Sequence, residues 1–197
     1  MNKLLSFKLP FGYFTVLSEL PQFPHIYCKQ VHGTNIIRIQ ESGITADGIC
    51  GNISELMLPW VIKTADCLPI LLQGNNEWIF LHAGWRGLAN GILKTDKVKQ
   101  LNPSFAFIGP SISSECFEVS EDFKQNFPNS GQFYKCENKY HFDLKAFARE
   151  ELKKMNPQIE IWDSQVCTFK DEKLASYRRD KNEIRNWNIF SINEVNL

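Results

Sequence analysis

A chain of 197 residues is long enough to bury one core without a disulfide or a metal to hold it, and its 22 Lys plus Arg balance 22 Asp plus Glu. That balance leaves no net field to gather nucleic acid or an anionic membrane, and no apolar run approaches the roughly 20 residues of a bilayer span. Lys8 and Pro10 interrupt the N-terminal apolar residues too early for a secretory leader, so a single cytoplasmic domain over residues 1–197 is expected, its six scattered cysteines free thiols or ligands rather than a disulfide framework.

Short strands dominate the first half. Residues 12–18, 25–31, 35–40 and 59–63 are rich in β-branched and aromatic residues and are bounded by Pro, Gly or Asn. The nearly continuous apolar runs Leu68–Gln73 and Glu77–His82 read as buried central strands, and residues 104–109 as another. A helix is predicted over residues 87–100 despite Gly91, and a second over 121–127 capped by Ser120. The clearest helix starts near Asp143, with Leu144, Phe147, Ala148, Leu152 and Met155 at helical spacing. Residues 159–164 and 187–195 return to strand. Hairpins interspersed with helices indicate the α+β class.

Gly74, Asn75 and Asn76 separate the two central strands. With Gly74 and Asn75 as a two-residue turn, opposed residue numbers sum to 149, which makes Cys67 and His82 cross-strand partners with Cβ atoms about 4.5–5.5 Å apart. That spacing suits a shared zinc ion; a three-residue loop would shift the pairing by one. The third ligand comes from the remaining histidines. His32, before Gly33, sits at a strand-to-turn boundary as His82 does, whereas His25 and His141 look ordinary.

The segments QVHG (30–33), ADGI (46–49), TADCLPILL (64–72), HAGWRG (82–87), IGPSI (108–112), CFEV (116–119) and SYRRD (176–180) resemble, in order, those of the YfiH family, also called laccase-domain and formerly multicopper polyphenol oxidase proteins. The resemblance implies a four-layer α/β/β/α sandwich with mixed sheets and a zinc site at His32, Cys67 and His82. It implies purine nucleoside phosphorylase activity on adenosine, inosine and methylthioadenosine, with adenosine deaminase activity as well. Two departures stand out. The family's Arg-Gly-Gly-Val-Ser type loop near the N-terminus is missing, and the C-terminal motif runs YRRDKNEIRN rather than into a Gly-containing turn.

Two neutral imidazoles and a thiolate leave a tetrahedral zinc one open position, the catalytic pattern. Arg86 and Arg178 are candidates to grip phosphate through paired hydrogen bonds, and Asp66 to orient a ligand histidine or act as a base. Trp85 and Phe117 could stack on a base, and Cys116 is read as packing or a pocket wall. Rival readings are a copper-dependent polyphenol oxidase, a cysteine-type hydrolase editing cell-wall precursors, and a scaffold with a structural zinc. Copper binds such a donor set tightly, but four histidines are few for a multicopper cluster.

Overall fold

The computed structural model describes residues 2–52, 54 and 57–195. It is a mixed α/β protein with three sheets and few helices. A five-stranded sheet runs in spatial order β1 (Lys3–Leu9), β2 (Gly12–Leu17), β14 (Asn186–Ser191), β6 (Trp60–Thr64), β3 (Ile26–Tyr27). A six-stranded sheet runs β13 (Glu160–Asp163), β9 (Phe105–Ile108), β7 (Leu68–Gly74), β8 (Glu77–Ala83), β5 (Gly48–Asn52), β4 (Ile36–Arg38). A small third sheet holds β10 (Glu118–Val119), β12 (Lys139–Phe142) and β11 (Phe133–Cys136).

The central strands are apolar on both faces because both faces are covered. Leu71 of β7, Trp78 and Phe80 of β8 and Phe105 and Phe107 of β9 meet Phe14, Trp60, Ile62 and Phe190 of the five-stranded sheet. Their alternates, Ile70, Leu72, Ile79, Leu81, Ala106 and Ile108, pack on the helical layer. That layer contains α1 (Trp85–Ala89), α2 (Asp96–Leu101) and α3 (Leu144–Met155), which buries Leu144, Ala148 and Leu152 as the spacing predicts. Asp143 caps α3, its side chain accepting from the Ala146 amide.

Of the expected four layers, the described residues show two facing sheets and one helical layer. The outer face of the five-stranded sheet carries Leu17, Val61 and Ile189 with Phe23, Trp187 and Val195, and no helical residue is among them. No helix of the described residues is long and apolar enough to cross a membrane.

Three local expectations need correction. The helix over 87–100 is broken into α1, a 3-10 turn (Ile92–Lys94) and α2, because Gly91 takes φ 83°. Residues Glu121–Asn126 form a 3-10 helix, and the Ser120 side chain makes no capping bond. The hairpin register also differs. Its turn is Asn75–Asn76, while Gly74 stays in β7 opposite Glu77. A Cβ on Gly74 would lie 2.1 Å from the Leu101 carbonyl oxygen, so that glycine serves the approach of α2 rather than the turn.

Candidate metal centre

The corrected register pairs His82 with Pro69 instead of Cys67. Opposed numbers now sum to 151, a change of two, and a change of two returns side chains to the same face. His82 therefore continues the inward face of Trp78 and Phe80, and Cys67, just before β7, continues that of Pro69 and Leu71. Both reach the open end of the two-sheet sandwich, where the chain crosses from β6 to β7. His32 arrives from the loop after β3. One ligand atom from each of His32, Cys67 and His82 lies within 4.8 Å of the others, and they are the only such three-donor group among the described residues. The two imidazole centroids are 4.7 Å apart and steeply inclined, at 71°.

The convergence depends on Gly84, which starts α1. A Cβ there would fall 2.8 Å from Cys67 Sγ and 3.1 Å from His32 Cδ2. Glycine in HAGWRG thus leaves room for Cys67 and His32 to meet in this corner.

Asp47 organises the centre. It is fully buried at the start of β5 and lies beside His82, whose backbone amide donates to the Asp47 carbonyl at 2.8 Å. Its carboxylate accepts amide hydrogens from Val31 (3.2 Å), His32 (2.8 Å) and Gly33 (2.6 Å). His32 reaches this nest only with φ 61°, a left-handed backbone that is unusual for a non-glycine residue. The same carboxylate accepts from His82 Nδ1 at 2.8 Å, which leaves Nε2 as the donor toward a cation. One buried carboxylate therefore places the His32 loop and orients the His82 ring. Gln30 fixes the loop from the other side: its Nε2 donates to the Lys63 carbonyl (2.6 Å) and its Oε1 accepts from the Lys63 amide (2.8 Å). Sequence reasoning missed both residues. The Asp47 signal was its place in ADGI, directly across the β5–β8 ladder from His82.

The electrostatics agree with a ligand set. Burial opposes ionisation of Cys67, but the His82 charge and hydrogen bonds from both imidazoles bring its thiol down to about 6. Burial likewise opposes a charged His82, while the Cys67 thiolate and Asp47 carry it up to about 9. Asp47 is held below the usual carboxylate range; burial works against this, and His82 and the loop amides outweigh it.

The donors open into a cavity of about 890 Å³. Arg86 lines it, exposed and without an ion pair among the described residues, its guanidinium over the Trp85 ring at 4.6 Å. Arg178 lines it too, over Phe117 at 5.0 Å, with Nη1 donating to the Glu118 carbonyl at 2.6 Å. Arg179 turns away and binds the carbonyls of Thr168, Phe169, Asp171 and Leu174.

Asp66, at φ 85°, accepts from Thr168 Oγ1 (2.7 Å) and from the Arg178 amide (2.6 Å). It braces the SYRRD helix α4 (Tyr177–Asp180) behind Arg178. The residue that orients a ligand histidine is Asp47. His25 and His141 lie apart: their Nδ1 atoms face the Phe23 carbonyl (2.9 Å) and the Ser114 carbonyl (3.2 Å).

The chain is similar to known proteins over most of its length. A purine nucleoside phosphorylase of Haemophilus influenzae is 36% identical over 82% of this chain and 71% of its own. One from Aquifex aeolicus is 33% identical over 79% and 77%. A Neisseria meningitidis crystal structure covers 87% of this chain and 76% of its own, with TM-score 0.76 and 28% identity. YlmD from Geobacillus stearothermophilus gives TM-score 0.72 at 25% identity, over 86% and 73%. The model of the family described as multi-copper polyphenol oxidoreductase laccase matches residues 15–191, and the chain belongs to that family, the YfiH family.

Proposed function

We propose that this chain is a single-domain, zinc-dependent purine nucleoside phosphorylase that cleaves adenosine, inosine and methylthioadenosine with phosphate and also deaminates adenosine. The observation that carries the reading is the convergence of His32, Cys67 and His82 within 4.8 Å at the floor of a cavity bearing Arg86 and Arg178. Relatives named purine nucleoside phosphorylase support the same reading.

One thiolate and two imidazoles are a borderline-soft set that suits zinc and also takes copper. A bound zinc supplies a Lewis acid and acidifies water near neutral pH. The chain supplies the rest. In phosphorolysis a phosphate oxygen forms a bond to C1′ of the ribose as the C1′–N bond to the purine breaks. Arg86 and Arg178 present planar, permanently charged forks that hold a phosphate dianion and offset its charge during the attack. Asp66 keeps Arg178 in place through the α4 backbone. Trp85, Phe117 and Tyr177 offer ring faces in the same cavity for a purine.

A multicopper oxidase needs more imidazoles than this site holds, and His25 and His141 are engaged elsewhere. The test is incubation of the zinc-loaded protein with adenosine and phosphate. Adenine with ribose 1-phosphate, together with some inosine, is expected. Absence of all three products while zinc is bound contradicts the proposal.

A further inference from the structure

A second cavity, about 590 Å³, is lined by residues 113–115, by residues among 143–149 at the start of α3 and by residues among 163–171, and shares no lining residue with the cavity at the metal donors. Its charged lining is largely self-paired: Lys145 and Arg149 with Asp163, and Lys170 with Glu115. The one group in it with unused chemistry is Cys167.

Cys167 is held by a local scaffold. It forms an isolated parallel bridge with Ser111. Flanking bonds run from the Ser111 amide to the Val166 carbonyl and from the Thr168 amide to the Ser111 carbonyl. Its sulfur accepts from the Ser113 hydroxyl at 3.1 Å and the Ser113 amide at 3.3 Å. The amides of Phe169 and Lys170 also aim at it. Burial works against a thiolate here, but these donors win and the thiol is held below its ordinary value. A sulfur ringed by hydrogen-bond donors is built to carry negative charge.

A partner thiol stands next to it. Ser113 begins a 3-10 turn over Ser114–Cys116, and the Cys116 amide donates back to the Ser113 carbonyl. In such a turn residues three apart eclipse, so Cys116 lies over Ser113, which itself grips Cys167. Each thiol biases the other's ionisation, and burial with the neighbouring Cys167 keeps Cys116 on the protonated side despite the Ser113 hydrogen bond. Neither cysteine is fully buried, whereas Cys28 and Cys50 are.

We propose that Cys167 and Cys116 form a peroxide-reactive pair, in which Cys167 takes a hydroperoxide from the 590 Å³ cavity and Cys116 closes the product to a disulfide. The Cys167 thiolate attacks one peroxide oxygen, the O–O bond breaks, and the leaving oxygen departs as water or an alcohol after taking up a proton. The sulfenic acid formed on Cys167 is attacked by Cys116 sulfur; the S–O bond breaks, and hydroxide leaves as water with the Cys116 proton. The peroxide is reduced by two electrons and the two thiols are oxidised by two. The link joins the two segments whose next residues, Phe117 and Thr168, wall the larger cavity and brace Asp66. The proposal is independent of the phosphorylase reading.

The test uses the full, zinc-loaded protein, in which the metal shields Cys67. It is exposed to hydrogen peroxide at near-equimolar dose, quenched with an alkylating reagent and mapped by peptide mass spectrometry. The expected product is a Cys116–Cys167 linked peptide that a dithiol reverses, with Cys167 consumed about tenfold or more ahead of the exposed Cys136. In C116S a sulfenic acid trap labels Cys167; in C167S it leaves Cys116 unlabelled. Oxidation of Cys136 ahead of Cys167 overturns the proposal. So does passage of Cys167 to the sulfinic acid with Cys116 still free. Both results are read in the wild-type chain, so they do not depend on a variant that folds.

Discussion

Replacing Asp47 with Asn removes one acceptor oxygen and adds two donors, in a pocket that contains only donors. Oδ1 serves the His32 amide and His82 Nδ1, Oδ2 serves the Gly33 amide, and the Val31 amide reaches both. If the surviving oxygen faces His82, the new NH2 meets the Gly33 amide, and a short charge-assisted bond becomes a clash of donors. If it faces Gly33, the NH2 meets His82 Nδ1. The ring can then accept only by moving its proton to Nε2, which ceases to be a metal donor. Loss of one bond to a charged group, with a buried donor left unmet, costs about 2–4 kcal/mol. For a chain of this size that is roughly 5–15 °C in melting temperature. Metal affinity falls about 10–100-fold, the usual effect of removing the group that orients a ligand histidine. Metal titration against a chromophoric chelator and a thermal melt of the stripped protein measure the two losses. A folded D47N variant with unchanged metal affinity refutes the assignment of Asp47 as the organiser of the centre.

Gly84→Ala puts a methyl group 2.8 Å from Cys67 Sγ, so metal affinity is expected to drop by an order of magnitude or more, while the stripped protein loses only about 1–3 kcal/mol; the same chelator competition reads it. In stripped protein the ultraviolet thiolate band of Cys67 titrates near 6 and the His82 ring, followed by NMR, near 9. The thiol is depressed, so its stabilisation is lost as pH falls through about 6; the imidazole is raised, so its stabilisation is lost as pH rises through about 9. The two trends run in opposite directions over the same window, 6.5 to 9, where the folded ion pair and the unfolded thiol and imidazole bind equal numbers of protons, so the pair leaves melting temperature nearly level with pH. R86A is expected to change stability by less than about 0.5 kcal/mol and to raise KM for phosphate. R179A, which strips the cap from four carbonyls, costs about 2–4 kcal/mol; chemical denaturation and phosphate-dependent kinetics separate the two.

Much of the centre was legible in local chemistry. The alternation of Leu71, Trp78 and Phe80 with Ile70, Ile79 and Leu81 announces strands buried on both faces, and His82 does lie at the end of β8, whereas the strand expected over 25–31 shrinks to Ile26–Tyr27 and His32 lies in the loop beyond it. The hairpin register was misread because Gly74-Asn75 is good turn chemistry, whereas the glycine answers to the Leu101 carbonyl, a neighbour distant in sequence. Because the difference in register is even, Cys67 and His82 still share a face. The role of Asp47, as distinct from its place in ADGI, was illegible for a different reason. Its role arises from the β5–β8 pairing and from a positive φ at His32, and neither leaves a periodic pattern. The small sheet β10–β12 is built from short strands whose exposed positions carry no sustained alternation.

The central claim is that one sulfur and two imidazole nitrogens from Cys67, His32 and His82 hold a single cation. X-ray absorption at the zinc edge of the loaded protein tests it most directly. One sulfur at about 2.3 Å and two nitrogens at about 2.0–2.1 Å, with one further light atom, is the predicted shell. A shell without sulfur, or one that persists unchanged in C67S, contradicts the account.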